Sequence, residues 1–222
     1  MFQQRAFREV ITPYSSLNKV KGLAKGFEDQ IFDIQKKRHD SQPHQNRGSC
    51  TQALAAAIVT GCTQIELEYG IHAATEGENF LRVFIPLFAR GHSKKVVSKY
   101  RRLKIDATRN SATRFLYDYL KNFKTAQRIH LSADRQNDLL SSLTSEYKKT
   151  LGRRGSDVKI TQTLLRHLLF SQMLGCGNDT EEMTRILGLS SKYSLKNYAT
   201  EIPHHPVIKG FIQFDGYLER RK

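Results

Sequence analysis

Long apolar runs are missing from this chain. The longest, Ala53 to Val59, falls well short of the roughly 18–20 residues needed to cross a bilayer. That excludes a membrane-spanning segment and leaves a short buried helix core. The opening M-F-Q-Q-R-A-F-R-E-V lacks the apolar centre of a secretory leader, so a cytoplasmic protein is expected. Cysteine is also scarce. Cys50, Cys62 and Cys176 show neither C-x-x-C nor Cys/His ligand spacing, which argues against a disulfide framework and against structural zinc. His204-His205 before Pro206 is a lone pair in a tail, more often solvated than metal-bound. Neither a metal nor a cofactor is expected.

Acidic residues are the next shortage. There are 36 Lys and Arg against 21 Asp and Glu, a net charge of +15 and a pI near 9.9. A domain this basic usually faces a polyanion. The excess is clustered: between Arg90 and Lys104 lie Arg90, Lys94, Lys95, Lys99, Arg101, Arg102 and Lys104, with no acidic residue among them. Such a stretch repels itself unless a phosphate backbone neutralises it. Nucleic acid is the favoured partner.

With 222 residues, 39% hydrophobic and 26% charged, the chain can bury a full core and has an ordinary globular composition. Residues 1–35 carry apolar positions at irregular helical spacing, enough for one or two short helices. The following K-K-R-H-D-S-Q-P-H-Q-N-R-G-S, residues 36–49, reads as a polar, basic linker broken by Pro43 and Gly48. Segments 1–49 are therefore expected to precede a main domain over 50–200, with a tail over 201–222. Within the domain, Gln52–Val59 reads as a helix stopped at Thr60-Gly61, and Gln64–Gly70 as a second short one. Phe80–Phe88 and Lys95–Ile105 are rich in Val, Phe, Ile and Leu around A-R-G-H-S-K, which predicts a β-hairpin. Pro86 is expected at an edge or an interruption. Helices follow over 111–123, 131–147 and 160–174, then 181–187 with Asp179 or Thr180 as cap and Gly188 as stop. Between the second and third of these, 152–157 is a basic, Gly-containing loop. The order fits a mixed, mainly α domain with a small sheet.

Three short motifs occur in sequence. T-G-C-T-Q-I-E-L spans residues 60–67; T-L-L-R-H begins at Thr163; L-G-L-S-S begins at Leu187, and a tyrosine, Tyr198, follows. Each alone is weak, since an arginine in an apolar helix and an L-G-x-S-S helix stop are both common. In this order they resemble the catalytic domain of tyrosine recombinases, the phage integrase family. Its patterns are T-G-x-R-x-x-E-L, H-x-x-R and L-G-H-S-S before a nucleophilic tyrosine. The resemblance covers roughly residues 50–200 and implies that domain's fold, mainly α with a small antiparallel sheet.

The resemblance also implies a chemistry. The tyrosine attacks a backbone phosphate, forming a 3′-phosphotyrosine and releasing a 5′-hydroxyl. Two arginines hold the non-bridging oxygens and a lysine protonates the leaving oxygen, without a metal. Carried over by position, Tyr198 is the nucleophile, Arg166 one arginine, and Lys94 or Lys95 the hairpin lysine. Thr63 stands where the first arginine belongs, and Thr163 and Leu189 where the two histidines belong. His167 beside Arg166 reads as a packed helix histidine. Arg153 or Arg154 offers a substitute guanidinium or a plain phosphate contact. Losing one preorganised donor costs on the order of 10²–10³ in rate, so the expected site is weakened. The expected protein binds double-stranded DNA, as an accessory in mobile-element recombination and integration. Its expected protein partners are further copies of itself, as a homo-oligomer, or a partner recombinase. The alternatives are an active recombinase working through Tyr198 and, less favoured, a basic RNA-binding protein. The tail's Val207, Ile208, Phe211, Ile212 and Phe214 can pack on a neighbouring protomer or on the chain's own domain.

Overall fold

The computed structural model describes residues 23, 26–41, 47–88, 97–151, 158–191, 194–195, 198 and 210–219. Its elements follow in order: α1 (Phe27–Ser41), α2 (Arg47–Thr60), α3 (Gln64–Tyr69), β1 (Ile71–Glu76), β2 (Phe80–Phe88) and β3 (Val97–Asp106). Then come α4 (Ser111–Leu120), β4 (Gln127–Ile129), α5 (Ala133–Leu151), α6 (Gln162–Gly175), α7 (Thr180–Leu187) and β5 (Ile212–Glu219). The class is α+β, mainly helical with one antiparallel sheet.

Helix α2 is the centre of the core because its apolar content leaves no polar side to expose. Every residue from Ala53 to Val59 is buried. The helix ends where Thr60 Oγ1 donates back to the Ala56 carbonyl (2.7 Å) and Gly61 takes φ 58°. Around it pack α1, α4, α5 and α6. Helix α1 contributes Phe27, edge-on to Tyr147 (5.0 Å), and Phe32 against Phe115 (5.4 Å). Asp29 of α1 also accepts from the Ser111 N–H at the start of α4 (2.9 Å).

The stretch expected as a linker is thus helical over 36–41 and again from 47. Its polarity reflects solvent-facing sides of α1, stitched by the i,i+4 pair Lys36–Asp40 (2.6 Å). Residues 42–46 lie outside the described set.

The sheet runs β4-β1-β2-β3-β5, each neighbour antiparallel. The expected hairpin is β2–β3; β1, β4 and β5 are additions the sequence pattern did not reveal. Alternation sends Leu81, Val83, Ile85, Leu103 and Ile105 into the core. Arg82, Arg102 and Lys104 project from the opposite face, half-buried. Pro86 lies inside the sheet order, not at an edge strand. It sits beyond the described β1 pairing, which runs from His72 opposite Phe84 to Glu76 opposite Phe80, so its missing N–H costs that ladder nothing.

Strand β5 adds to β3 of the same chain, with Phe211 and Ile212 buried; Val207 and Ile208 lie outside the described residues. Asp215 and Gly216 together oppose Arg102, a bulge at which the Arg102 Nε and Nη2 donate to the Asp215 carbonyl (2.8 and 2.6 Å). Among the described residues, no helix is long and apolar enough to cross a membrane.

Candidate active site

Two turns and one helix build the site. At the α2–α3 turn, Gly61 bends the chain and Thr63 starts α3 with a reciprocal capping box. The Thr63 hydroxyl accepts from the Glu66 N–H (3.4 Å), while the Thr63 N–H donates to Glu66 Oε2 (2.6 Å). The second turn ends α7, where Gly188 takes the left-handed conformation (φ 63°) and its N–H donates to the Arg185 carbonyl (3.1 Å). Helix α6, capped by Thr161 through the Leu164 N–H (3.1 Å), runs past both.

Arg166 of α6 is 8% exposed and joins the three pieces. Its Nη1 donates to the Gly61 carbonyl (2.6 Å), its Nη2 to the Leu187 carbonyl, and its Nε to the Tyr198 hydroxyl (2.6 Å). Tyr198 is only partly buried. Its ring lies against His167 (centroids 4.8 Å apart) and Phe170 (5.1 Å) of the same helix. The two residues singled out as arginine and nucleophile are brought together from 32 positions apart. All three hydrogen-bond acceptors of Arg166 are uncharged, and the Glu66 carboxylate acts on it through space and not by direct contact.

A second arginine completes the electrostatics. Arg101 of β3, expected among the phosphate-contacting residues, is instead fully buried. Its position repeats the inward parity of Leu103 and Ile105. The Nη1 and Nη2 groups donate to the Glu66 carboxylate, Nη2 at 3.1 Å, while Nε is buried without a partner. Gly188 is required here for two reasons: its positive φ, and the collision that a side chain would make with the Arg101 guanidinium. Burial pushes the Glu66 carboxyl up, but Arg101, then Arg166 and the Thr63 N–H, hold it below the ordinary carboxylate range. Burial pushes the neighbouring Cys62 thiol up to about 11, helped by the Glu66 charge, so Cys62 is an inert core residue.

The remaining expected positions fall as follows. Thr63 has its N–H and a lone pair of its hydroxyl engaged in the helix cap. Thr163, one turn before Arg166, is exposed; Leu189 packs partly buried against the core. His167 is buried at 4% exposure, as a packed helix residue. Lys99 places its Nζ over the Tyr217 ring (4.3 Å), and Lys104 over Phe80 (4.3 Å). Arg102 is ion-paired with Asp215 (2.8 Å). Arg90, Lys94, Lys95, Arg153 and Arg154 lie outside the described residues, as does the His204-His205 pair. Among the described residues, no three His, Cys, Asp or Glu side chains come together as metal ligands.

Sequence reasoning missed Glu66 as the carboxylate of the site and Arg101 as its partner. The signal for Arg101 was strand parity; charge alone made it look like a surface cation. Comparison with protein-family models, curated proteins and solved structures finds no match.

Proposed function

We propose that this chain is a DNA-binding protein of the tyrosine-recombinase type, with a weakened catalytic site and an accessory role in mobile-element recombination or integration. The observation that carries the reading is the Nε–hydroxyl contact of 2.6 Å between Arg166 and Tyr198. A buried guanidinium facing only neutral acceptors suits an incoming anion, and a tyrosine hydroxyl at its side suits attack on a phosphate held there. The net charge of +15 supplies the wider attraction to a polyanion.

The weakening follows from composition of the site. With Thr63 bound into a helix cap and Leu189 apolar, two groups that would stabilise the transition state are absent. Arg166 remains to hold a non-bridging oxygen, and Tyr198 remains to attack. A lysine to protonate the leaving oxygen would come from Lys94 or Lys95.

Duplex binding across a salt series tests the reading. The affinity for a mixed-sequence, fluorescein-labelled duplex is expected to fall steeply as salt rises, because several phosphates are neutralised. Arg166→Gln is expected to weaken binding about tenfold or more. Lys149→Gln, which removes the same charge from a 74% exposed surface position, should weaken it about twofold or less. Equal effects from the two variants would reduce Arg166 to one cation among many, and salt-insensitive binding would remove the nucleic-acid reading altogether.

A further inference from the structure

Arg101 and Arg166 straddle the same two turns. Arg166 donates to the carbonyls of Gly61 and Leu187; Arg101 lies against Gly188 and holds Glu66, whose carboxylate also accepts from the Thr63 N–H. The three charged side chains, two guanidiniums and one carboxylate, therefore leave one positive charge in excess. Which arginine pairs with Glu66 decides where that excess sits. Arg101 takes it through two N–H donors, and so Arg166 keeps its charge beside Tyr198.

Stability alone is a poor reason for this pair. Buried ion pairs can often be replaced by apolar side chains at little cost, and the Arg101 Nε is buried without a partner. Cys62, beside Glu66, is held neutral and adds no second negative charge to the cluster.

We infer that Arg101 is a positioning residue that occupies Glu66 and thereby keeps Arg166 positive for a phosphodiester oxygen. Arg101 never touches the nucleic acid; it acts by denying Arg166 a carboxylate partner. The inference rests on the reading of Arg166 as the phosphate-binding group.

The test uses the labelled mixed-sequence duplex and the full chain, with folding of each variant checked by circular dichroism. Arg101→Met is expected to weaken binding about tenfold, because Glu66 then neutralises Arg166. Adding Glu66→Gln to that variant should restore binding to within about twofold of the parent. Arg102→Gln, on the outer sheet face, should show a smaller loss that Glu66→Gln does not recover. If Arg101→Met fails to fold, Glu66→Gln alone carries the test: the parent's affinity or a tighter one is expected, and weaker binding overturns the inference. A loss in Arg101→Met that Glu66→Gln leaves unrepaired, or no loss, overturns it too. Should Arg166→Gln bind as tightly as the parent, the phosphate reading fails and takes this inference with it. A strong Arg166→Gln defect without the Arg101–Glu66 rescue sinks the inference alone.

Discussion

The start of α3 and the middle of α6 both contribute to the site and use their polar groups differently. At α3, Thr63 and Glu66 cap each other and Glu66 also pairs with Arg101, so the carboxylate's charge is met within the protein. At α6, Arg166 is also buried, yet its N–H groups meet two carbonyls and a hydroxyl, none of them charged. The first is a finished structural joint. The second is a charged group organised by neutral contacts, the condition in which a buried guanidinium favours an added anion. Residue type is the same for the two arginines and both are buried, Arg101 fully and Arg166 at 8% exposure; what separates them is the partner, a carboxylate for one and neutral oxygens for the other.

The largest expected effect comes from breaking the joint. Arg101→Met strips the buried Glu66 carboxylate of its two-pronged partner, which costs about 3–5 kcal/mol. Adding Glu66→Gln should recover much of it, as read by urea denaturation. Two losses that simply add would show that the side chains do not act as a pair.

A smaller effect appears in acid. The folded-state pKa of Glu66 lies below its ordinary 4.5. The stability from its charged form is therefore fully present above pH 4.5 and is lost as pH falls through the lower folded value. Glu66→Gln should flatten stability over that window. An unchanged acid limb would place the acid sensitivity in other carboxylates.

The smallest change probes the cap. Thr63→Ala removes the hydroxyl that accepts from the Glu66 N–H and should cost about 1 kcal/mol, with duplex affinity unchanged in the salt titration. A large loss of affinity would instead make Thr63 a phosphate donor and blur the contrast between the two regions.

Much of the framework was legible in the sequence. The α6 and α7 helices, the Asp179 cap and the Gly188 stop follow local rules of periodicity and capping, which operate within a few residues. The β2–β3 hairpin was legible from its β-branched and aromatic content. Strand β1, I-H-A-A-T-E, was not, because nothing in its composition favours a strand; it forms by pairing with β2 on one side and β4 on the other. Strand β5 carries Asp215 and Gly216, residue types depleted in strands, which here make the bulge facing Arg102. Helix α1 was expected as a short helix within 1–35, but its continuation over 36–41 was read as linker, because its buried residues stop at Gln35.

The candidate site was legible where motifs named its residues and illegible where long-range pairing decided their use. Position indicated Arg166 and Tyr198. The Arg101–Glu66 pair joins residues 35 apart on different elements, and no local pattern reports such a partner.

The most direct measurement is covalent trapping on nicked duplex DNA, with the parent chain and Tyr198→Phe incubated, denatured and probed for protein-linked strands. A weakened site predicts salt-sensitive binding by both proteins and no linked DNA in the parent above the Tyr198→Phe level. Abundant linked DNA that Tyr198→Phe abolishes would contradict it, and would make this chain a working recombinase despite the threonine at position 63.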